Sequence, residues 1–144
     1  GVGEIHLTGP MVMTGYINKE PIDGDFNTDD IGYIDEDGFV YILNRRKDLI
    51  ISGGENIYPK ELEDLVYTLP SVKECVVVPV PDAKWGQVPA LFVAFHDGKS
   101  LPPEDILAFM TDFLAKYKIP KYVKALTALP RNGTGKILRN ELKL

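Results

Sequence analysis

The stretch with the most evident chemistry is Pro130-Arg-Asn-Gly-Thr-Gly-Lys136, where a lysine follows a turn holding two glycines. An ammonium group delivered in this way suits a phosphate or a carboxylate, and the glycines leave the loop free to move. It is not a Walker A loop. Such a motif ending at Lys136 needs glycine at position 130 and serine or threonine at 137, where the chain has Pro130 and Ile137. A second stretch, Asp48-Leu-Ile-Ile-Ser-Gly-Gly-Glu-Asn-Ile-Tyr-Pro59, runs from an apolar strand through Gly53 and Gly54 to a helix start. Paired glycines there permit positive φ, or close approach of a ligand to the backbone. A third, Asp23-Gly-Asp-Phe-Asn-Thr-Asp-Asp30, spaces oxygen ligands as a calcium loop does. A loop starting at Asp23 would need glycine sixth and glutamate twelfth, and Thr28 and Ile34 stand there, so calcium is not expected. Each stretch also has a plain structural reading: Gly53 and Gly54 as a turn, Asp30 as a surface acid, Lys136 as a solvated charge. Their order along one chain is the informative part.

The elements that must hold these residues follow from periodicity. Glu4 to Thr8, Ile31 to Ile34 and Phe39 to Leu43 alternate as strands, the last two joined by a hairpin turn at Asp35-Glu-Asp-Gly38. From Pro59 to Leu69 the apolar residues Leu62, Leu65, Val66 and Leu69 recur at helical spacing, with Pro59 in a first turn where its missing N–H costs nothing. Val72–Val80 and Val88–Phe95 read as buried strands around the turn Pro81 to Gly86. A second helix is predicted from Pro103, with Ile106, Leu107, Met110, Phe113 and Leu114 on its apolar face. Tyr122–Leu126 reads as another strand and Ile137–Leu144 as a short terminal helix. The class is therefore α+β, with antiparallel strands first and a small mixed α/β domain after them, and a boundary near Arg45 to Asp48.

Composition narrows the setting. With 44% hydrophobic and 26% charged residues in 144, the chain has enough to bury in a core and too little bias for disorder. No apolar run reaches the roughly 18 to 20 residues that span a bilayer, and Gly1 to Gly9 do not read as a signal peptide, so a cytoplasmic protein is expected. The opening, without methionine, reads as the middle of a strand-rich region, and a fragment of a longer protein is expected. Cys75 lies among apolar neighbours and reads as a buried small hydrophobe. The net charge of −5 is unevenly spread: residues 113–144 carry eight Lys or Arg against one acid. A basic tail on an acidic chain points to an anionic partner nearby, a phosphorylated small molecule rather than nucleic acid, because overall acidity opposes non-specific backbone binding.

In combination these stretches resemble the C-terminal region of the acyl-CoA synthetases, members of the superfamily of adenylate-forming enzymes. The resemblance rests on four ordered motifs covering the whole chain: Gly3-Glu-Ile-His-Leu-Thr-Gly9 through Gly15-Tyr-Ile-Asn18; Thr28-Asp-Asp30; Arg45 to Pro59; and Pro130 to Lys136. Through Lys84-Trp-Gly-Gln-Val-Pro89 and Leu114-Ala-Lys-Tyr-Lys-Ile-Pro120 it is nearest to the o-succinylbenzoate:CoA ligases of menaquinone synthesis.

The resemblance implies a parent that turns a carboxylate and ATP into an acyl-adenylate and pyrophosphate, after which CoA displaces AMP to give the thioester. It implies that Asp30 and Arg45 meet the ribose of ATP, that Lys136 is the catalytic lysine of adenylation, and that Lys47 is the hinge. It implies further that Gly53 and Gly54 line the pantetheine path of CoA with Trp85 beside them, while Tyr117 stacks on the CoA adenine and Lys118 or Lys116 meets its phosphates. ATP would bring Mg2+, with no metal site expected in this chain. Residues 1–45 would be the last strands of a large N-terminal domain and 46–144 the complete small domain. Asp29 departs from the usual glycine of the second motif, though aspartate tolerates unusual backbone angles. The phosphate loop and acyl pocket of the family precede these residues, so this chain alone is expected to be inactive. Fatty-acid or aryl-acid ligases, a carrier-protein-loading adenylation domain and a non-catalytic nucleotide- or CoA-binding module stay open as alternatives, as does a homo-oligomer.

Overall fold

A computed structural model describes all residues, 1–144, as two compact units, Gly1–Lys47 and Asp48–Leu144. The division falls two residues beyond the position expected from sequence.

The first unit is a three-stranded antiparallel sheet of β1 (Gly3–Leu7), β2 (Phe26–Ile34) and β3 (Val40–Arg45), in that order. The turn between β2 and β3 forms because Asp35 Oδ1 accepts the N–H groups of Asp37 at 3.1 Å and Phe39 at 2.9 Å. Asx turns of this type give the backbone a local partner where the ladder stops. Strand β2 begins earlier than expected and includes Thr28, Asp29 and Asp30. Ile34, Phe39, Val40 and Ile42 are each more than half exposed, an apolar surface that three strands do not cover for themselves.

The second unit is a mixed five-stranded sheet. Strands β4 (Ile50–Ser52) and β5 (Glu55–Ile57) form a hairpin at one side, followed by β7 (Gly86–Phe95) and β6 (Val72–Asp82). Strand β8 (Tyr122–Ala125) runs parallel to β7 over Ala90–Val93, sharing with β4 the edge of β7 that β6 does not occupy. The β6–β7 hairpin is buried on both faces. Cys75, Val77, Leu91 and Val93 pack with Leu62 and Val66 of helix α1 (Pro59–Val66) and Ile106 and Met110 of α2 (Pro103–Thr111). Val76, Val78, Ala90 and Phe92 pack on the other face against Leu129 and Leu142. Two-sided burial explains why both strands read as nearly unbroken apolar runs.

The outer edge of β6 is closed without another strand. Tyr67 Oη accepts the N–H of Cys75 at 3.2 Å, and Glu63 Oε1 accepts that of Val77 at 2.8 Å while Arg139 Nη1 donates to the Val77 carbonyl at 2.7 Å. Continuing the two-residue alternation brings Pro79 and Pro81 to the next outward positions, where there is no N–H to satisfy. Cys75 is buried as expected, and burial first, with Glu63 and Asp64 adding to it, pushes its thiol up to about 12, which leaves it protonated and inert.

Two expectations fail. Residues Ile137–Leu144 form no helix beyond a single 3₁₀ turn at Arg139–Glu141. This end is pinned instead: Ile137 bridges to Arg131, Leu138 N–H donates to the Pro130 carbonyl at 2.8 Å, and Leu142 is buried under the sheet. So short a segment cannot outweigh those contacts, because helix nucleation is costly. Helix α2 stops at Thr111, leaving Phe113 and Leu114 in the turn that follows. Phe92, fully buried and the largest side chain of the second face, should be the most costly to truncate there. Phe92→Ala is expected to lower the unfolding free energy of the chain by about 4 kcal/mol in urea, and a change under about 1 kcal/mol would contradict this packing.

Candidate functional site

Asp30 and Arg45 are cross-strand partners in the register of β2 and β3, and Arg45 Nε lies 2.9 Å from Asp30 Oδ1. Arg45 Nη1 also donates to the Thr28 carbonyl at 3.2 Å. The bulge in β2 before Asp30 is held by Asn27, whose Oδ1 accepts the Asp29 N–H at 2.8 Å, and by Thr28 Oγ1, which accepts the Asp30 N–H at 3.2 Å. Asp29 has φ +59°, a left-handed angle that explains why glycine would also suit this position. The result is a carboxylate with one oxygen engaged by a guanidinium and the side chain 16% exposed. Lys47, exposed in the 3₁₀ turn Arg46–Asp48, is the last residue of the first unit.

In the second unit Gly53 and Gly54 form the two-residue turn of the β4–β5 hairpin, both at positive φ. That geometry belongs to a type I′ turn and selects glycine. Gly53 has a further reason: a Cβ there would lie 2.7 Å from Trp85 Cε3, so the indole occupies the space a side chain would take. Its N–H donates to the Trp85 carbonyl at 2.9 Å. Trp85 is therefore brought against Gly53, with Lys84 Nζ 4.6 Å from its ring centroid. Beside them opens a cleft of about 1100 Å³ whose lining includes Gly53, Trp85, Leu114, Lys116, Tyr117 and Lys121.

Asp82 organises this end of the sheet. Its Oδ1 accepts the N–H groups of Lys84 and Trp85, both at 2.9 Å, and its Oδ2 pairs with Lys121 Nζ. The Lys121 hydrogen bond first, and the two N–H groups after it, lower the carboxyl to about 2, and the same pair raises Lys121. Tyr117 lines the cleft, whereas Lys118 does not: its ammonium donates to both carboxylate oxygens of Glu61, at 2.7 and 2.8 Å, and ties this turn to α1. Sequence reasoning passes over Asp82 and Lys121. An Asx-turn pattern in Asp82-Ala-Lys-Trp was available to mark the first, but Lys121 is brought there only by the parallel pairing of β8.

Lys136 sits in a loop more ordered than its glycines suggest. Asn132 Oδ1 accepts the N–H groups of Thr134 at 3.0 Å and Lys136 at 2.9 Å, and Asn132 N–H donates to the Lys136 carbonyl at 2.9 Å. The expected free movement is thus corrected: the loop is a closed turn whose backbone partners are internal. Lys136 is exposed and enters no ion pair. An unpaired ammonium on an ordered turn is suited to meet an anion. No three His, Cys, Asp or Glu side chains converge to hold a metal ion, and no helix is long and apolar enough to cross a membrane.

With this geometry in view, the match of residues 61–136 to the AMP-binding enzyme C-terminal domain is decisive, and the chain belongs to that family. Similar proteins narrow the kinship. The 2-succinylbenzoate--CoA ligase of Lactococcus lactis subsp. lactis (strain IL1403) is 58% identical over 143 residues, 99% of this chain and 31% of that protein. The fold matches that of o-succinylbenzoate CoA synthetase (MenE) from Bacillus subtilis in complex with the acyl-adenylate intermediate OSB-AMP, at TM-score 0.90 and 44% identity, covering 99% of this chain and 30% of that one. ATP-bound MatB from Rhodopseudomonas palustris matches at TM-score 0.90 and 38% identity, over 98% of this chain and 29% of that one. The chain thus spans about a third of the length of the relatives it matches.

The Asp82 turn yields a signed pH dependence. A folded-state pKa near 2, below the ordinary 3.8, means that ionised Asp82 favours the folded state above 3.8, and that this contribution drains away as pH falls towards 2. In urea unfolding followed by Trp85, the one tryptophan, wild type is expected to exceed Asp82→Asn by a constant margin above pH 4. The margin should close as pH falls through that window, and one independent of pH would contradict the assignment.

Proposed function

We propose that this chain is the C-terminal portion of an ATP-dependent, AMP-forming acid:CoA ligase whose carboxylate is o-succinylbenzoate, acting in the cytoplasm. The carboxylate attacks the α-phosphorus of ATP, forming the acyl-adenylate and expelling pyrophosphate. The CoA thiol then attacks the acyl carbon, giving up its proton and expelling AMP. The carrying observation is 58% identity over nearly the whole chain to a protein named for that reaction. The equal TM-scores of MenE and MatB mean that the fold alone does not select the acid, and the higher identity to the former favours o-succinylbenzoate.

Residues 1–45 are read as the closing strands of a large domain and 46–144 as a mobile small domain turning about Lys47. Asp30, with Oδ1 taken by Arg45, offers its second oxygen to a ribose hydroxyl of ATP, a charge-assisted bond of the stronger type. Lys136 places its ammonium where negative charge gathers as pyrophosphate leaves. Mg2+ arrives with ATP and is assigned to no residue here. For CoA, the Gly53–Gly54 turn with Trp85 packed against Gly53 forms a wall for the pantetheine arm, and Tyr117 offers a ring to the adenine. Lys116 lines the cleft to meet its phosphates, since Lys118 is engaged by Glu61 and Lys121 by Asp82.

In the full-length enzyme, Lys136→Ala is expected to abolish pyrophosphate release while leaving transfer from supplied acyl-adenylate to CoA largely intact. Rapid-quench measurement of the two half-reactions separates these outcomes. Equal loss in both, or full retention of both, would refute the role of Lys136, whereas a wild-type enzyme that performed neither half-reaction would favour the non-catalytic binding module.

A further inference from the structure

The loop of Lys136 is tied to the sheet by one carboxylate that no part of the proposed reaction uses. Glu74, near the start of β6, has a side chain only 13% exposed. Its Oε1 accepts the N–H of Leu129 at 3.1 Å, and its Oε2 pairs with the guanidinium of Arg131. The other arm of Arg131 donates from Nη1 to the carbonyl of Gly135 at 2.6 Å. Gly135 precedes Lys136, so an unbroken series of hydrogen bonds runs from β6 through Arg131 to the peptide that carries the lysine.

A loop that merely connected two segments would not need this arrangement, because Asn132 already closes the turn from within. What Asn132 cannot do is fix the turn relative to the sheet. Taking a carboxylate out of water is unfavourable unless its partners make up the loss. Here burial raises the pKa of Glu74, and the Arg131 hydrogen bond, the Leu129 N–H and the charges of Arg131 and Lys73 outweigh it, leaving the group below its usual value and ionised at neutral pH. Arginine is specifically suited to the middle position: its planar fork reaches a carboxylate and a carbonyl together, which a single ammonium on a flexible stem does not.

We propose that Glu74 and Arg131 are positioning residues for Lys136, setting where its ammonium stands in adenylation and having no part in thioester formation. This rests on the ligase reading of Lys136 given above. Neither residue touches substrate; both act through the Gly135–Lys136 peptide. Because the lysine acts on charge that develops in the transition state, misplacing it lowers kcat rather than raising KM.

The test uses the full-length enzyme and two conservative variants. Glu74→Gln keeps the side-chain shape and an acceptor for Leu129 but removes the charge facing Arg131. Arg131→Lys, at a position 43% exposed and therefore easily tolerated, keeps the charge but loses the two-armed reach. Each is expected to lower kcat for pyrophosphate release about 100-fold, the scale of an ångström-sized misplacement. KM for ATP should change little, and transfer of supplied acyl-adenylate to CoA should run at the wild-type rate. Hydrogen exchange should show the Lys136 amide exchanging faster in both variants. Equal losses in the two half-reactions, or adenylation at the wild-type rate in both variants, would overturn the positioning role while wild-type turnover stands. A wild-type enzyme that released no pyrophosphate with any carboxylate would overturn the ligase reading, and this role with it.

Discussion

Strand β6 is an edge strand buried on both faces, and the second unit is arranged around the need to cover it. Cys75 and Val77 face α1 and α2, while Val76 and Val78 face Leu129 and Leu142, so helices and C-terminal segment are both required. Each apolar side chain buried in this way contributes about 1.5 to 3 kcal/mol. The backbone of an edge strand remains a hazard, because unpaired N–H and C=O groups invite another strand. Tyr67, Glu63 and Arg139 occupy those groups at Cys75 and Val77, and prolines stand at the outward positions beyond. Helix, strand and C-terminal segment are thereby locked to one another through polar contacts as well as apolar ones.

The same strand carries a carboxylate near each end. Glu74 and Asp82 are eight residues apart, about 26 Å at 3.3 Å per residue. One anchors the Lys136 loop and the other the Trp85 turn, in each case by accepting backbone N–H groups and pairing with a cation. On the ligase reading, these are the loops of the two successive half-reactions, both fixed to the best-packed part of the unit. Groups that must meet a transition state gain from being held on rigid elements rather than on free loops. The arrangement suits a small domain that moves as a body between two tasks.

Much of this is legible locally. Pro59 followed by Leu62 and Val66 gives α1, Asp35 to Gly38 gives the first hairpin, and the apolar runs around Trp85 give β6 and β7. Gly53 and Gly54 are readable as a turn, and the structure adds that Trp85 fills the space above Gly53. What local pattern misses is set by contacts distant in sequence. The C-terminal segment has helical spacing but is kept from forming more than one 3₁₀ turn by its contacts with Pro130, Arg131 and the face of the sheet. Lys118 and Lys121 look alike in sequence, yet Glu61 captures one and Asp82 the other, through elements 57 and 39 residues away. The glycines of the Lys136 loop suggest mobility, while Asn132 and Arg131, each ordinary in isolation, supply the order.

The most direct test of the account is pyrophosphate release by the full-length enzyme with ATP and a panel of carboxylates, with and without CoA. Selective turnover of o-succinylbenzoate, ending in its CoA thioester, is the expected result. Preference for a fatty or aryl acid would contradict the substrate assigned, and failure to adenylate any acid would contradict the ligase reading itself.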